Sequence, residues 1–197
     1  MAELWHRLDA FDARISEKLR IRDENSLRFK IAAALAHTGD SWLWCGVLFV
    51  WWLFAHGETE RTLAWWGGTI AWTAFLVFFL KRLIGRMRPE GEWGQEYRKT
   101  DPYSFPSGHS VRAGLIVTLA WNTFSQPWLV ALFVLWAVLM MLSRVATGVH
   151  YLLDVIGGFL IGLLFGALWQ AAQPWFFTKL AVLFDKSQWL PALKKIL

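Results

Sequence analysis

The chain has 197 residues, 56% of them hydrophobic, with a mean hydropathy of +0.35, 15 Trp and a formal net charge of +5. That length bounds it to one domain or one membrane bundle with appendages, and so apolar a composition excludes an ordinary soluble domain. The cations cluster near candidate phosphate-binding residues and in the N-terminal segment, so membrane lipids with anionic headgroups are the expected partners, and nucleic acid is not.

Residues 2 to about 20 carry Trp5, Leu8, Phe11, Ile15 and Leu19 at spacings of three and four. This is one face of an amphipathic helix, either lying on the membrane surface or packed on a bundle. The charged N-terminus has no early apolar core, so no cleavable signal peptide is expected. Ser26 to His37 reads as a second helix with Gly39 as its stop, and residues 1–40 as an interfacial N-terminal region.

Apolar segments follow at about 41–56, 62–80, 111–124, 127–142 and 151–173. Crossing about 30 Å of hydrocarbon takes about 20 helical residues. Only the second and fifth segments reach that length unaided; the others extend through polar flanks. The expectation is an all-α integral membrane bundle of five transmembrane helices, with residues 41–173 as its catalytic part. A sixth span would need the tail 174–197 to cross, but Lys179, Asp185 and Lys186 near its middle and Lys194 and Lys195 at its end favour a surface-lying amphipathic helix. Cys45, the only cysteine, lies in the first apolar run and excludes an intramolecular disulfide.

Three stretches combine into one pattern: Lys81 with Arg88-Pro89, then Pro106-Ser107-Gly108-His109, then Ser143-Arg144 with His150 and Asp154. Each fixed residue matches by chance roughly one time in twenty, so the ordered set is far more specific than a lone glycine motif. The residue types suit phosphoryl transfer. Two histidines can serve as nucleophile and acid, a carboxylate can orient one of them, and cations with loop amides can hold a phosphate. His150 and Asp154, four apart, are expected on one helix face. A carboxylate accepting from Nδ1–H leaves Nε2 free to attack. Gly108 and His109 are expected to open a helix whose free N–H groups make an anion site. Lys81, Arg88 and Arg144 form the expected phosphate clamp. Arg82 and Arg86 read as cations ending a membrane helix, Arg112 as a headgroup or supporting contact, and Ser143 as a motif residue equally suited to helix packing. His6, His37 and His56 read as interfacial. No His, Asp and Glu cluster resembles a metal cage, so neither metal nor other cofactor is expected.

These motifs resemble those of the phosphatidic acid phosphatase type 2 superfamily, which also holds vanadium haloperoxidases and bacterial acid phosphatases. Within it the chain looks most like the short membrane lipid phosphatases, including polyisoprenyl diphosphate phosphatases, through Leu8-Asp9 and His37-Thr38-Gly39-Asp40. The resemblance implies that His150 forms a phosphohistidine and that His109 protonates the leaving oxygen and then activates water. Ser107 would donate to the phosphate with Gly108 and the clamp residues. Polyprenyl diphosphates, phosphatidate and phosphatidylglycerol phosphate are the implied candidate substrates. The rival readings are a vanadate-holding haloperoxidase and a silent lipid-binding relative; halide oxidation would mark the first and a broken motif the second, and every ionisable motif residue is present.

With five spans the N-terminal segment and the catalytic loop share one side. That side collects seven Lys and Arg before residue 41, six from Lys81 to Lys99, and Arg112 and Arg144; the other has Arg61 and four tail lysines. The positive-inside rule then predicts a cytoplasmic catalytic face in a bacterial inner membrane.

Overall fold

Eight α-helices and no strand form among the described residues, which in this computed structural model are 2–179 apart from 92 and 94. They are α1 (Ala2–Leu19), α2 (Leu27–His37), α3 (Ser41–Phe54), α4 (Glu58–Ile84), α5 (Gln95–Thr100), α6 (Gly108–Thr123), α7 (Pro127–Ala146) and α8 (Leu152–Lys179). The all-α expectation holds, and each of the five apolar segments is a helix.

Helix α6 is central because it is apolar on every side: Val111, Ala113, Leu115, Ile116, Leu119 and Ala120 are all buried. At 16 residues it is about 24 Å long, short for a bilayer, but its neighbours shield it from lipid. Helix α8 lies directly on it. Gly158, Gly162 and Gly166 repeat every four residues; the first two put backbone against backbone and Gly166 makes room for the Thr118 side chain. A Cβ on Gly162 would sit 2.0 Å from the Val111 carbonyl oxygen, and one on Gly114 would sit 2.3 Å from that of Phe159. At the far end Trp65, Trp66, Phe124 and Phe176 close the bundle, with Trp65 and Phe176 ring centroids 5.7 Å apart and Trp66 and Phe124 6.1 Å apart.

Helices α4, α7 and α8 have 27, 20 and 28 residues and are long and apolar enough to cross a membrane; α3 is a shorter apolar helix. The sequence reading ended the α7 segment at 142. The helix instead runs on through Ser143 and Arg144, because the Ser143 hydroxyl returns to the Met140 carbonyl at 2.5 Å and Thr147 Oγ1 donates to the Ser143 carbonyl at 2.8 Å. Helix α8 also outruns its expected end, continuing through Pro174 to Lys179. The rest of the expected tail, 180–197, lies outside the described residues.

Helix α1 packs in the reverse sense to its apolar pattern. Among its described side chains the buried ones are Asp12 and Ser16, whereas Phe11 is 60% exposed. Asp12 Oδ1 accepts from the Leu153 N–H at 3.0 Å and Ser16 Oγ from the Leu152 N–H at 2.8 Å. The first free amides of α8 are thus capped by side chains from another helix. Leu8, Phe11 and Leu19 face outward, as a helix bedded on a lipid surface requires. Trp5's side chain lies outside the described ones.

The backbone contact between α6 and α8 makes a test. Replacing Gly162 with Leu should cost about 3 kcal/mol or more by overpacking and lower the melting temperature in detergent. Gly46→Leu, where a Cβ meets nothing within 4 Å, should leave it nearly unchanged.

Candidate active site

The site forms where the loops after α4, before α6 and before α8 meet. Lys81 ends α4, and its ammonium donates to the Asp101 carboxylate and to the Tyr103 carbonyl at 3.1 Å. Arg88, in the following loop, reaches three ways. Nη2 donates to Asp101 Oδ2 at 2.7 Å, and Nη1 donates to the Val149 carbonyl at 3.0 Å and lies 2.9 Å from His150 Nε2. Arg144 enters from the last turn of α7 and is 1% exposed. Between Arg144 and His150 the chain reverses at Gly148, whose φ of 71° suits glycine. These groups line a cavity of about 360 Å³. Its polar end holds Lys81, Arg88, Gly108, His109, Arg112, Arg144 and His150; its other end is apolar, with Ile70, Ala74, Val77, Phe78 and Leu115.

Arginine only donates, so the contact with Arg88 requires a lone pair on His150 Nε2. The ring proton is then on Nδ1, facing Asp154. Burial, followed by the charges of Arg88, Arg144 and Lys81, pushes the His150 pKa well below its ordinary value, which keeps the ring neutral and nucleophilic. The route to this geometry differs from the expected one. His150 precedes α8 rather than sharing its surface with Asp154, and Nδ1 is 3.5 Å from Asp154 Oδ2, beyond a normal hydrogen bond. Asp154 is held elsewhere: Oδ2 accepts from the Tyr151 N–H at 2.8 Å and Oδ1 from Arg86 at 2.6 Å.

Arg86 therefore corrects its reading as a helix-ending cation. It bridges Asp154 and Asp12, the latter at 2.7 Å, with Asp9 at 3.1 Å, and lies over the Tyr151 ring. Burial disfavours its charge, but Asp154 and Asp12 outweigh that and push its pKa up. Arg82 does behave as expected, exposed and over Phe78. Arg112 lines the cavity and also serves as a supporting contact: it is buried and donates to the Gly39 carbonyl and to Ser41 Oγ. Ser107 does not line the cavity. It caps α6, its Oγ accepting from the Ser110 N–H at 3.5 Å, and its own N–H donates to the Asp154 carbonyl at 3.1 Å. Ser143 serves its own helix. His109 Nε2 lies 2.7 Å from Asp40 Oδ1, and His37 Nδ1 lies 3.0 Å from Asp40 Oδ2. His37 is thus only half free of the site, while His56 is exposed. His6's side chain lies outside the described ones. Among the described residues no three His, Cys, Asp or Glu side chains are arranged to hold a metal ion.

Asp101, Arg86 and Asp40 were not marked as site residues by the sequence. Each pairs with a residue far along the chain, and such pairing leaves no periodic signal.

The family model of the PAP2 superfamily matches residues 62–177, more than half of the chain. The chain belongs to this superfamily. It is 45% identical over 87 residues to the undecaprenyl-diphosphatase of Sulfolobus acidocaldarius, covering 42% of this chain and 41% of that protein. It is 33% identical over 105 residues to the phosphatidylglycerophosphatase B of Bacillus subtilis, covering 45% of this chain and 51% of that protein. The chain thus spans about half the length, or less, of the curated relatives it matches. In fold it is similar to the crystal structure of the transmembrane PAP2-type phosphatidylglycerolphosphate phosphatase of Bacillus subtilis, with a TM-score of 0.69 at 23% identity over 85% of this chain and 87% of that one. The Aquifex aeolicus LpxE structure matches with a TM-score of 0.61 at 22% identity over 80% and 93%.

Two outcomes follow from the ion pairs. Asp101 occupies the Lys81 and Arg88 donors that a phosphate would need, so Asp101→Asn should tighten inhibition by inorganic phosphate roughly tenfold, about 1.4 kcal/mol. Arg86→Met leaves Asp154 and Asp12 buried without their cation, and should destabilise the protein by about 3–5 kcal/mol in a denaturation series.

Proposed function

We propose that this protein is a metal-independent membrane phosphatase that hydrolyses lipid phosphates or diphosphates. The observation that carries the reading is the cavity itself: His109 and His150 stand with Lys81, Arg88 and Arg144 at one end, and an apolar wall runs away from them. A lipid phosphate has the same polarity, with a dianionic head and an apolar tail. The relatives, an undecaprenyl-diphosphatase and a phosphatidylglycerophosphatase, support the same class.

In the proposed reaction, Nε2 of His150 attacks phosphorus in line as Arg88 Nη1 transfers from that nitrogen to a phosphate oxygen. The bond to the lipid oxygen breaks and His109 supplies its proton, leaving a phosphohistidine. His109 then takes a proton from water, whose oxygen displaces His150 and releases inorganic phosphate. Lys81, Arg88, Arg144 and the α6 N-terminus at Gly108 hold the equatorial oxygens, with Ser107 shaping that terminus as its cap. Asp154 favours the Nδ1–H tautomer of His150. The rival readings gain no specific support from the geometry.

Phosphate release from a panel of lipid phosphates by the purified protein tests the reading. His150→Ala should lower kcat about 10⁴-fold or more while the protein stays folded. EDTA should leave activity unchanged and vanadate should inhibit; strict dependence on a divalent ion would sink the metal-free mechanism.

We also propose a cytoplasm-facing site. Helix α1, with its cations, docks at the catalytic end through Asp12 and Arg86. Helix α2, at 11 residues and about 16 Å, is too short to cross and reverse that arrangement. Glu90 lies exposed in the loop after α4. In a Cys45→Ala background, Glu90→Cys should resist a membrane-impermeant maleimide in intact cells; labelling would place the loop outside.

A further inference from the structure

The proposed reaction makes His109 the acid, yet it is walled by positive charge. Burial works most strongly against a charge on its ring, the charges of Arg144 from α7 and Arg112 on its own helix add to that, and His150 is within range. An imidazolium placed there without a counter-charge would give up its proton before a substrate arrived. Asp40 is the carboxylate that faces it. It is 8% exposed, with Oδ1 2.7 Å from His109 Nε2, while Oδ2 takes His37 Nδ1 at 3.0 Å and the Trp42 indole N–H at 3.2 Å.

The loop that carries Asp40 is fixed from both sides. Trp136 Nε1 donates to Thr38 Oγ1 and Trp44 Nε1 to the Thr38 carbonyl, each at 2.9 Å; Arg112 holds the Gly39 carbonyl and Ser41 Oγ. The loop passes so near the imidazole that a Cβ on Gly39 would lie 3.0 Å from His109 Cδ2. So many fixed contacts around a four-residue turn hold one carboxylate oxygen against one ring nitrogen. Burial raises the Asp40 pKa, but the hydrogen bonds and charges of His109 and His37 outweigh it and hold the carboxyl well below the usual carboxylate range. It is an anion at every working pH.

We infer that Asp40 is a positioning residue for the leaving-group step: it commits His109 Nε2 to a fixed hydrogen bond, stabilises the charged ring, and leaves Nδ1 as the nitrogen that exchanges a proton with the leaving oxygen and with water. The site then has two carboxylate–histidine pairs of opposite sense. Asp154 faces Nδ1 of His150 and frees Nε2, whereas Asp40 binds Nε2 of His109 and frees Nδ1. His37, whose side chain is 49% exposed, ties the outer oxygen of Asp40 to the aqueous surface.

This inference rests on His109 being the acid, so the test uses two variants and two leaving groups. Asp40→Asn keeps the shape and removes the charge. In single turnover it should slow phosphohistidine formation from a lipid phosphate about 100-fold and from p-nitrophenyl phosphate by less than about fivefold, since nitrophenolate leaves without a proton. KM should change little. The alkaline limb of the kcat profile should move to lower pH, because the imidazolium beside Arg112 and Arg144 loses its counter-charge. His109→Gln should show the same leaving-group split. Equal losses on both substrates for His109→Gln would overturn the acid reading and this inference with it. The split in His109→Gln but not in Asp40→Asn would overturn the role of Asp40 alone. Should Asp40→Asn fail to fold, ¹⁵N-histidine spectra of the wild-type protein decide the matter, with His109 assigned from its loss in His109→Gln. A protonated Nε2 across the working pH range is expected, and an unprotonated one overturns the inference.

Discussion

The architecture depends on keeping five cations, Lys81, Arg86, Arg88, Arg112 and Arg144, at one end of an apolar helical bundle without letting them repel the fold apart. Each is buried or nearly so. Charges removed from water are costly unless they are paired. Asp101 answers Lys81 and Arg88, Asp154 and Asp12 answer Arg86, and carbonyl and hydroxyl oxygens of the α2–α3 turn answer Arg112. These partners come from α1, two loops and α8, so the N-terminal helix is tied to the catalytic end rather than appended to it.

That arrangement needs a rigid base. The α6–α8 contact supplies it, because glycine on both helices removes the side chains that would otherwise hold the backbones apart. The N-termini of these two helices lie beside each other, joined where the Ser107 N–H meets the Asp154 carbonyl at 3.1 Å. One carries His109 and the other follows the turn that holds His150, so helix packing brings the two histidines to the same end of the bundle.

Most of the fold was legible from the sequence because apolar runs bounded by polar residues have a single meaning in a bilayer. The cavity residues were legible through the motif Lys81 to Asp154, which ties chemistry to spacing. What was not legible depends on long-range pairing. Arg82 and Arg86 stand four residues apart in one basic cluster of the sequence, yet Arg82 lies in the last turn of α4 while Arg86, beyond the Gly85 cap, turns inward to Asp12 and Asp154. The apolar stripe of α1 fitted a packed helix as well as an interfacial one. Only the structure shows that Asp12 and Ser16 lie on the packed face while Leu8, Phe11 and Leu19 of the stripe stay exposed. Ser107 and Ser143 matched the pattern in type, but their hydroxyls cap or join helices. A motif fixes which residues recur together and not which atom of each faces the ligand.

Under the proposed reaction, the division of the cavity gives a reason for two carboxylate–histidine pairs. The phosphate end is rich in donors, so charge gathering on the equatorial oxygens is answered wherever it appears. In the proposed reaction a lipid oxygen would leave toward the side lined mostly by Ile70, Ala74, Val77, Phe78 and Leu115, and in that low dielectric an uncompensated alkoxide or phosphate oxygen is far costlier than in water. A proton must therefore arrive with the bond cleavage. A histidine that keeps this proton among arginines must itself be stabilised, and Asp40, brought in on the turn between α2 and α3, is the anion placed to do so. In the proposed reaction, burying the leaving group thus creates the requirement for the acid, and burying the acid creates the requirement for its carboxylate.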